Sequence, residues 1–218
     1  MSRLQLGLTK AAAFLLCLSP FVLIVVRALG FFGATLGANP VEELLHTMGK
    51  TGLNILLITL AVSPLRRLTK LNSLVRFRRM LGLFAFFYLL LHFLTYAVLD
   101  LRLAWGTLGV DITQRPYITV GMLALLLMIP LAVTSTSGWQ RRLKRRWTTL
   151  HRLVYPIVIL GVLHFFWQVK LDTTEPLIYA GIATVLLGER LIHRRRTRTR
   201  RARAASGSSS TLGEANTP

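Results

Sequence analysis

The chain has 218 residues, a formal net charge of +19 and a mean hydropathy of +0.53, with 53% hydrophobic and 16% charged residues. A soluble domain averages about 25% charged residues, so this balance, with apolar runs of about 20 residues, excludes an ordinary soluble enzyme and points to a membrane protein. The single cysteine, Cys17, excludes an internal disulfide, a CxxC redox pair and a cysteine-based zinc site.

Six apolar segments follow one another, over 11–29, 48–65, 80–99, 116–136, 150–169 and 174–192. Each approaches the ~20 residues with which a helix crosses ~30 Å of hydrocarbon. The first has Arg3 and Lys10 ahead of it, as a signal peptide would, but its length and the lack of an A-x-A pattern predict a retained helix. Lys50, Thr51, Asn54 and Pro64 make the second the weakest. The third carries His92, and the fifth carries His151, Pro156 and His164. No internal repeat is evident in the residues. Beyond 192 the composition changes to HRRRTRTRRARAA and then SGSSSTLGEANTP, which cannot bury apolar area. The expected organisation is therefore a transmembrane domain over 1–192 and a basic, disordered cytoplasmic tail over 193–218.

Placing both termini in the cytoplasm puts 22 of the 27 basic residues on that side. They lie at the N-terminus, in the loops around Arg66–Arg79 and Arg141–Arg152, and in the tail. The opposite side keeps Arg27, Lys50, Arg102, Arg115 and Lys170, with six of the eight acids. Positive-inside asymmetry then predicts an all-α six-helix bundle in the bacterial inner membrane with both ends inside. The same asymmetry accounts for the charge without nucleic acid, since no nucleic-acid-binding module is present and the arginines divide among loops and tail. Anionic lipid headgroups or an acidic soluble partner suit them better. Six spans leave no room for a nucleotide-binding domain, and neither GxGxxG nor a P-loop occurs. Electrons, if the chain carries them, come from another molecule.

Ionisable residues inside spans are costly and mark function. His92 and His164 lie 8 residues before Asp100 and 6 before Lys170, respectively, on two segments running the same way. That places both ~9–12 Å below the outer boundary. Two imidazoles at matched depth can hold a haem iron from opposite faces, whereas zinc would want an Asp, Glu or Cys at that level. The blander alternative is a histidine bonded to a carbonyl or lining a proton path. His151 sits ~20 Å further in, at the depth of a second redox centre. An ideal helix would rotate it about 220° away from His164 unless Pro156 kinks the segment, and Arg78 and Arg79 occupy the place where a partner histidine would be needed. His46 reads as a surface or loop-capping residue, and His193 as solvated. Trp105, Trp139, Trp147 and Trp167 read as interfacial anchors. Arg78, Arg79 and Arg152 read first as topology signals and second as partners for haem propionates.

The blocks LGANPVEELLHTMGKTGL at 36–53, RRMLGLFAFFYLLLHFLTYAVLDL at 78–101 and ITQRPYITVG at 112–121 resemble the MsrQ (YedZ) family of haem-binding membrane subunits, in the ferric-reductase-like transmembrane group. The strongest block, TSTSGWQRRLKRRWTTLHRLVYPIVILGVLHFFWQVK at 134–170, and PLIYAG at 176–181 continue the likeness, which covers about residues 36–182. Asn39 stands where the family often has Asp. The resemblance implies haem ligands at His92, His151 and His164, haem b in one copy or two, and an associated FMN. It also implies electrons drawn from quinol or a cytoplasmic flavin reductase and passed to a periplasmic MsrP-type molybdoprotein that repairs methionine sulfoxide. No catalytic residue is expected on this chain, because two protein ligands leave the iron no open position. A proton-coupled transporter would want mid-membrane acids, of which there are none, Glu189 lying near the inner edge. A non-redox anchor would be colourless.

Overall fold

A computed structural model describes residues 3–33, 35–169 and 171–214. Among them there is no strand. The chain forms helices α1 (Arg3–Ala28), α2 (Pro40–Thr69), α3 (Arg78–Leu94), α4 (Trp105–Gln114), α5 (Pro116–Val133), α6 (Ser137–Leu143), α7 (Arg145–Leu150), α8 (Val154–Gln168) and α9 (Thr174–Glu214). Five stretches among the described residues are long and apolar enough to cross a membrane: Leu4–Ala28, Pro40–Thr69, Asn72–Asp100, Pro116–Val133 and Arg145–Gln168. They account for five of the six expected spans. The sixth expected span lies in α9, where Glu175 in the first turn and Glu189 and Arg190 further on interrupt the apolar run. α9 passes residue 192 without a break and reaches Glu214, while residues 215–218 of the expected tail lie outside the described residues.

α2 packs on α3 and α5 packs on α8, and these two pairs form the body of the bundle. Leu60, Ala85, Tyr88 and Val158 are fully buried in the core, which also takes in Cys17 and Ile24 of α1 and Ala183 of α9. α2 and α3 come close because Gly52 carries no side chain, and a β-carbon there would stand 2.7 Å from Leu89 Cγ. Large apolar side chains such as Leu15, Leu16, Leu126 and Val185 point outward. Hydrocarbon is the solvent that suits such a surface.

Three spans hold an interior proline, Pro20, Pro64 and Pro130, and at the first two a side chain replaces the lost helical donor. Pro20 in α1 bares the Leu16 carbonyl, to which Ser19 Oγ donates at 2.9 Å. One residue on, the Tyr88 hydroxyl is inserted into the same ladder: it accepts from Phe21 N–H at 3.1 Å and donates to the Cys17 carbonyl at 2.6 Å. This insertion ties α1 to α3. Pro64 in α2 likewise bares the Leu60 carbonyl, and Arg190 of α9 donates to it at 2.6 Å.

The short helices α4, α6 and α7 were not among the expected elements. α3 also runs on as a π-helical turn over Thr95–Asp100, just after His92. There the Tyr96 hydroxyl donates to Asp111 Oδ2 at 2.6 Å, and Arg115 Nε stands 3.2 Å from the other oxygen of this buried carboxylate. The network fixes α4 against α3 and α5.

Candidate functional site

The site is built by two helix pairs that use the same three parts. In α2, the Leu45 carbonyl accepts from Nδ1–H of His92 at 2.9 Å, and Gly49, one turn on, faces the same ring. In α5, the Tyr117 carbonyl accepts from Nδ1–H of His164 at 2.7 Å, and Gly121 faces that ring. Each histidine follows its carbonyl by 47 positions. A repeat not evident in the residues is thus present in the geometry, with a period of 72 residues between carbonyl and carbonyl, glycine and glycine, histidine and histidine.

A carbonyl only accepts, so each Nδ1 carries the proton and each Nε2 keeps its lone pair. Neither Nε2 has a hydrogen bond among the described residues. Fixing one ring nitrogen on a carbonyl so that the other can bind a metal is the usual outer-shell arrangement for a ligating histidine. The glycines allow it, because a β-carbon would lie 3.0 Å from His92 Nδ1 at position 49 and 2.6 Å from His164 Nδ1 at position 121.

The two rings face each other across the bundle, with centroids 6.0 Å apart and planes at 81°. They line a cavity of about 410 Å³, within the ~300–1,000 Å³ typical of cofactor sites. Leu53, Leu56, Leu89, Phe93, Leu125, Ile157 and Phe165 form its apolar walls. Each ring is oriented through Nδ1 by a carbonyl, and its Nε2 has no hydrogen bond among the described residues, which is the donor set a metal between the two helix pairs would use. The residues therefore fit a planar porphyrin held at iron from both sides. Among the described residues no three His, Cys, Asp or Glu side chains gather to hold a metal.

Polar residues gather at the mouth of the cavity. His46 and Gln168 bridge α2 and α8, with His46 Nε2 and Gln168 Nε2 3.2 Å apart. Lys50 reaches Glu175 at 2.6 Å, Arg115 pairs with Asp111, and Arg27 pairs with Glu43. Outside the spans, Tyr117 and Asp111 beside Arg115 hold its guanidinium above its ordinary range. Three of the five cations expected on this side are thus neutralised by acids.

His92 and His164, expected at matched depth, are brought together. His151 is not. It lies in a 3-10 turn ahead of α8, at the opposite end of the bundle, with its ring stacked on Trp147 at 3.9 Å and its Nδ1–H on the Trp147 carbonyl at 3.1 Å. Pro156 does not kink the helix between the two histidines, for it occupies the first turn of α8, where its missing N–H costs nothing. His46, expected on a surface or loop, is exposed but sits within α2 and lines the cavity. His193 is exposed, as expected. Trp105, Trp139 and Trp167 present exposed faces, whereas Trp147 is more than an anchor: its indole N–H donates to the Thr134 carbonyl at 2.9 Å while its ring supports His151. Arg79 and Arg152 are exposed and Arg78 is half-buried. Asn39 caps α2 through Glu42 N–H, a task Asp performs equally well. Sequence reasoning missed the Leu45 and Tyr117 carbonyls and the two glycines; the available signal was glycine inside each apolar helix, Gly49 and Gly52 in α2 and Gly121 in α5.

A family model described as ferric reductase like transmembrane component matches residues 48–162. A protein-methionine-sulfoxide reductase heme-binding subunit MsrQ from Xanthomonas campestris pv. campestris (strain 8004) is 56% identical over 163 residues, 75% of each chain. The protein of the same name from Rhodospirillum rubrum is 52% identical over 192 residues, covering 88% of this chain and 91% of the relative. No solved structure matches the chain.

Proposed function

The chain belongs to the MsrQ family of ferric-reductase-like transmembrane components, and from that membership we propose that it conducts electrons outward across the bacterial inner membrane to a periplasmic MsrP-type molybdoprotein that reduces methionine sulfoxide. As a member it is a multi-pass, haem-binding electron-transfer subunit of a methionine sulfoxide reductase system. The proposed architecture is six spans over 1–192 with both termini and the 193–218 tail in the cytoplasm, since the arginine-rich loops and tail gather at one end of the bundle, while Arg27, Lys50 and Arg115 at the other are paired with acids.

The observation that carries the proposal is the facing pair of His92 and His164, each oriented by a backbone carbonyl. These two histidines would hold one haem b. A bound haem supplies a one-electron carrier whose potential follows its axial ligands and burial. The Leu45 and Tyr117 carbonyls hold the ring orientations, and the leucine and phenylalanine walls exclude water. Two histidines holding the iron would leave it no open position for substrate, and bond-breaking would belong to the partner. His151 is the proposed ligand of a second haem at the basic end, which would take its other ligand from outside the histidines. FMN enters the proposal as a further cofactor without assigned residues. Quinol or a cytoplasmic flavin reductase is the proposed donor.

Purified protein from haem-replete cells should show a reducible b-type spectrum, and His92→Ala and His164→Ala should each remove the same component. Added quinol and reduced flavin should be compared as reductants. A correctly folded but colourless protein would favour the non-redox anchor instead.

A further inference from the structure

The basic end of the bundle holds a cluster that the haem assignment does not use. Arg190 of α9 is only 8% exposed. It donates to the Leu60 carbonyl, to Ser63 Oγ at 3.4 Å and to the Tyr155 hydroxyl at 3.1 Å. Arg194, one turn on, donates to the same hydroxyl at 2.9 Å. The two guanidiniums lie 5.5 and 4.9 Å from the centre of the Tyr155 ring. Arg78, at the start of α3, lies within electrostatic reach of both Arg190 and Tyr155.

Topology accounts poorly for this arrangement. Arginines that serve only the positive-inside rule extend toward water, as Arg79 and Arg152 do, but Arg78 is half-buried and Arg190 is buried. Among the described residues no carboxylate pairs with either. Glu189 is taken by Arg67 on another face of α9. The Arg78 side chain has no hydrogen bond among the described residues, and Nε of Arg190 is buried without a partner. Like charges held together at low dielectric repel strongly and call for a counter-anion.

We infer that Arg78, Arg190, Arg194 and Tyr155 form a binding site for a phosphate oxyanion, supplied by the headgroup of an anionic phospholipid. Guanidinium forks match phosphate oxygens in pairs, and basic pockets between membrane helices are known headgroup sites. A lipid fits better than a free ion because α9 on the bilayer side of Arg190 presents exposed apolar side chains, Val185 at 70% among them, to acyl chains. The inference stands apart from the haem assigned to His92 and His164, whereas Arg78 lies within electrostatic reach of His151, the proposed ligand of the second haem.

The test uses the full-length, haem-loaded protein in neutral detergent, titrated with phosphatidylglycerol, phosphatidylcholine or inorganic phosphate. Thermal midpoint and mass-resolved lipid adducts are the readouts. Phosphatidylglycerol should raise the midpoint saturably and remain bound, and phosphatidylcholine should not. Arg78→Gln should weaken the response about tenfold, the loss of a charge-assisted pair, and Arg78→Lys should recover part of it. Arg194→Gln, a change on an exposed side chain, should also weaken it, which keeps the test informative if position 78 proves intolerant. Inorganic phosphate that reproduces the shift and competes with the lipid would keep the oxyanion site and make its ligand soluble. Equal responses to the two lipids would overturn the inference. So would an Arg78→Gln protein that keeps the full lipid response but loses haem, because the anion would then be a haem carboxylate.

Discussion

A β-carbon on Gly121 would stand 2.6 Å from Nδ1 of His164. Real β-carbons do not approach that closely, so Gly121→Ala must turn the ring off the Tyr117 carbonyl or push α5 away from α8. Gly49→Ala meets His92 at 3.0 Å and needs a smaller shift. Both variants should lose haem on purification, Gly121→Ala more severely. In an ordinary helix the same change is favourable by about 1 kcal/mol, so unchanged helicity by circular dichroism alongside a falling haem-to-protein ratio would separate ring displacement from unfolding.

Tyr88→Phe keeps the ring but leaves the Cys17 carbonyl and the Phe21 N–H without the hydroxyl that joins them. Leaving buried backbone groups unpaired costs about 1–3 kcal/mol. Thermal denaturation in detergent should show a lower midpoint, while the haem spectrum stays as in the wild type because Tyr88 does not line the cavity.

Arg190 and Pro64 should be coupled. Arg190→Gln removes the donor that satisfies the carbonyl bared by Pro64, whereas Pro64→Ala gives that carbonyl back its helical N–H. The double variant should therefore be more stable than Arg190→Gln alone, by about 1 kcal/mol. A thermodynamic cycle over the four proteins measures the coupling.

His151 has its own expected outcome. His151→Ala should leave the spectrum of the outer haem intact, since its ring is stacked on Trp147 away from the cavity. Any component lost from the reduced-minus-oxidised spectrum then belongs to a second, inner centre.

Much of this architecture was legible in the residues. Hydropathy gave the spans because hydrocarbon forces every backbone group into a helix, and residue counting along two parallel segments put His92 and His164 at one level. What escaped the reading depends on the backbone and on packing. The Leu45 and Tyr117 carbonyls have no side-chain signature. Gly49 and Gly121 reveal their role only when the partner ring is seen above them. The 72-residue repeat is written in helix pairing, and the identities of the surrounding residues do not show it. Pro64 and Arg190 are 126 positions apart, and only the fold makes one the answer to the other. Trp147 looked like a membrane anchor because its contact with His151 arises from the short helix α7 and the turn after it, elements too brief to read from periodicity.

The central claim is that His92 and His164 grip one iron, and imidazole rescue tests it most directly. His92→Gly and His164→Gly should each convert a low-spin, bis-imidazole electron paramagnetic resonance signal into a high-spin or empty site. Free imidazole added to either variant should restore the low-spin signal. Retention of the full low-spin signal in both variants without added imidazole would contradict the account.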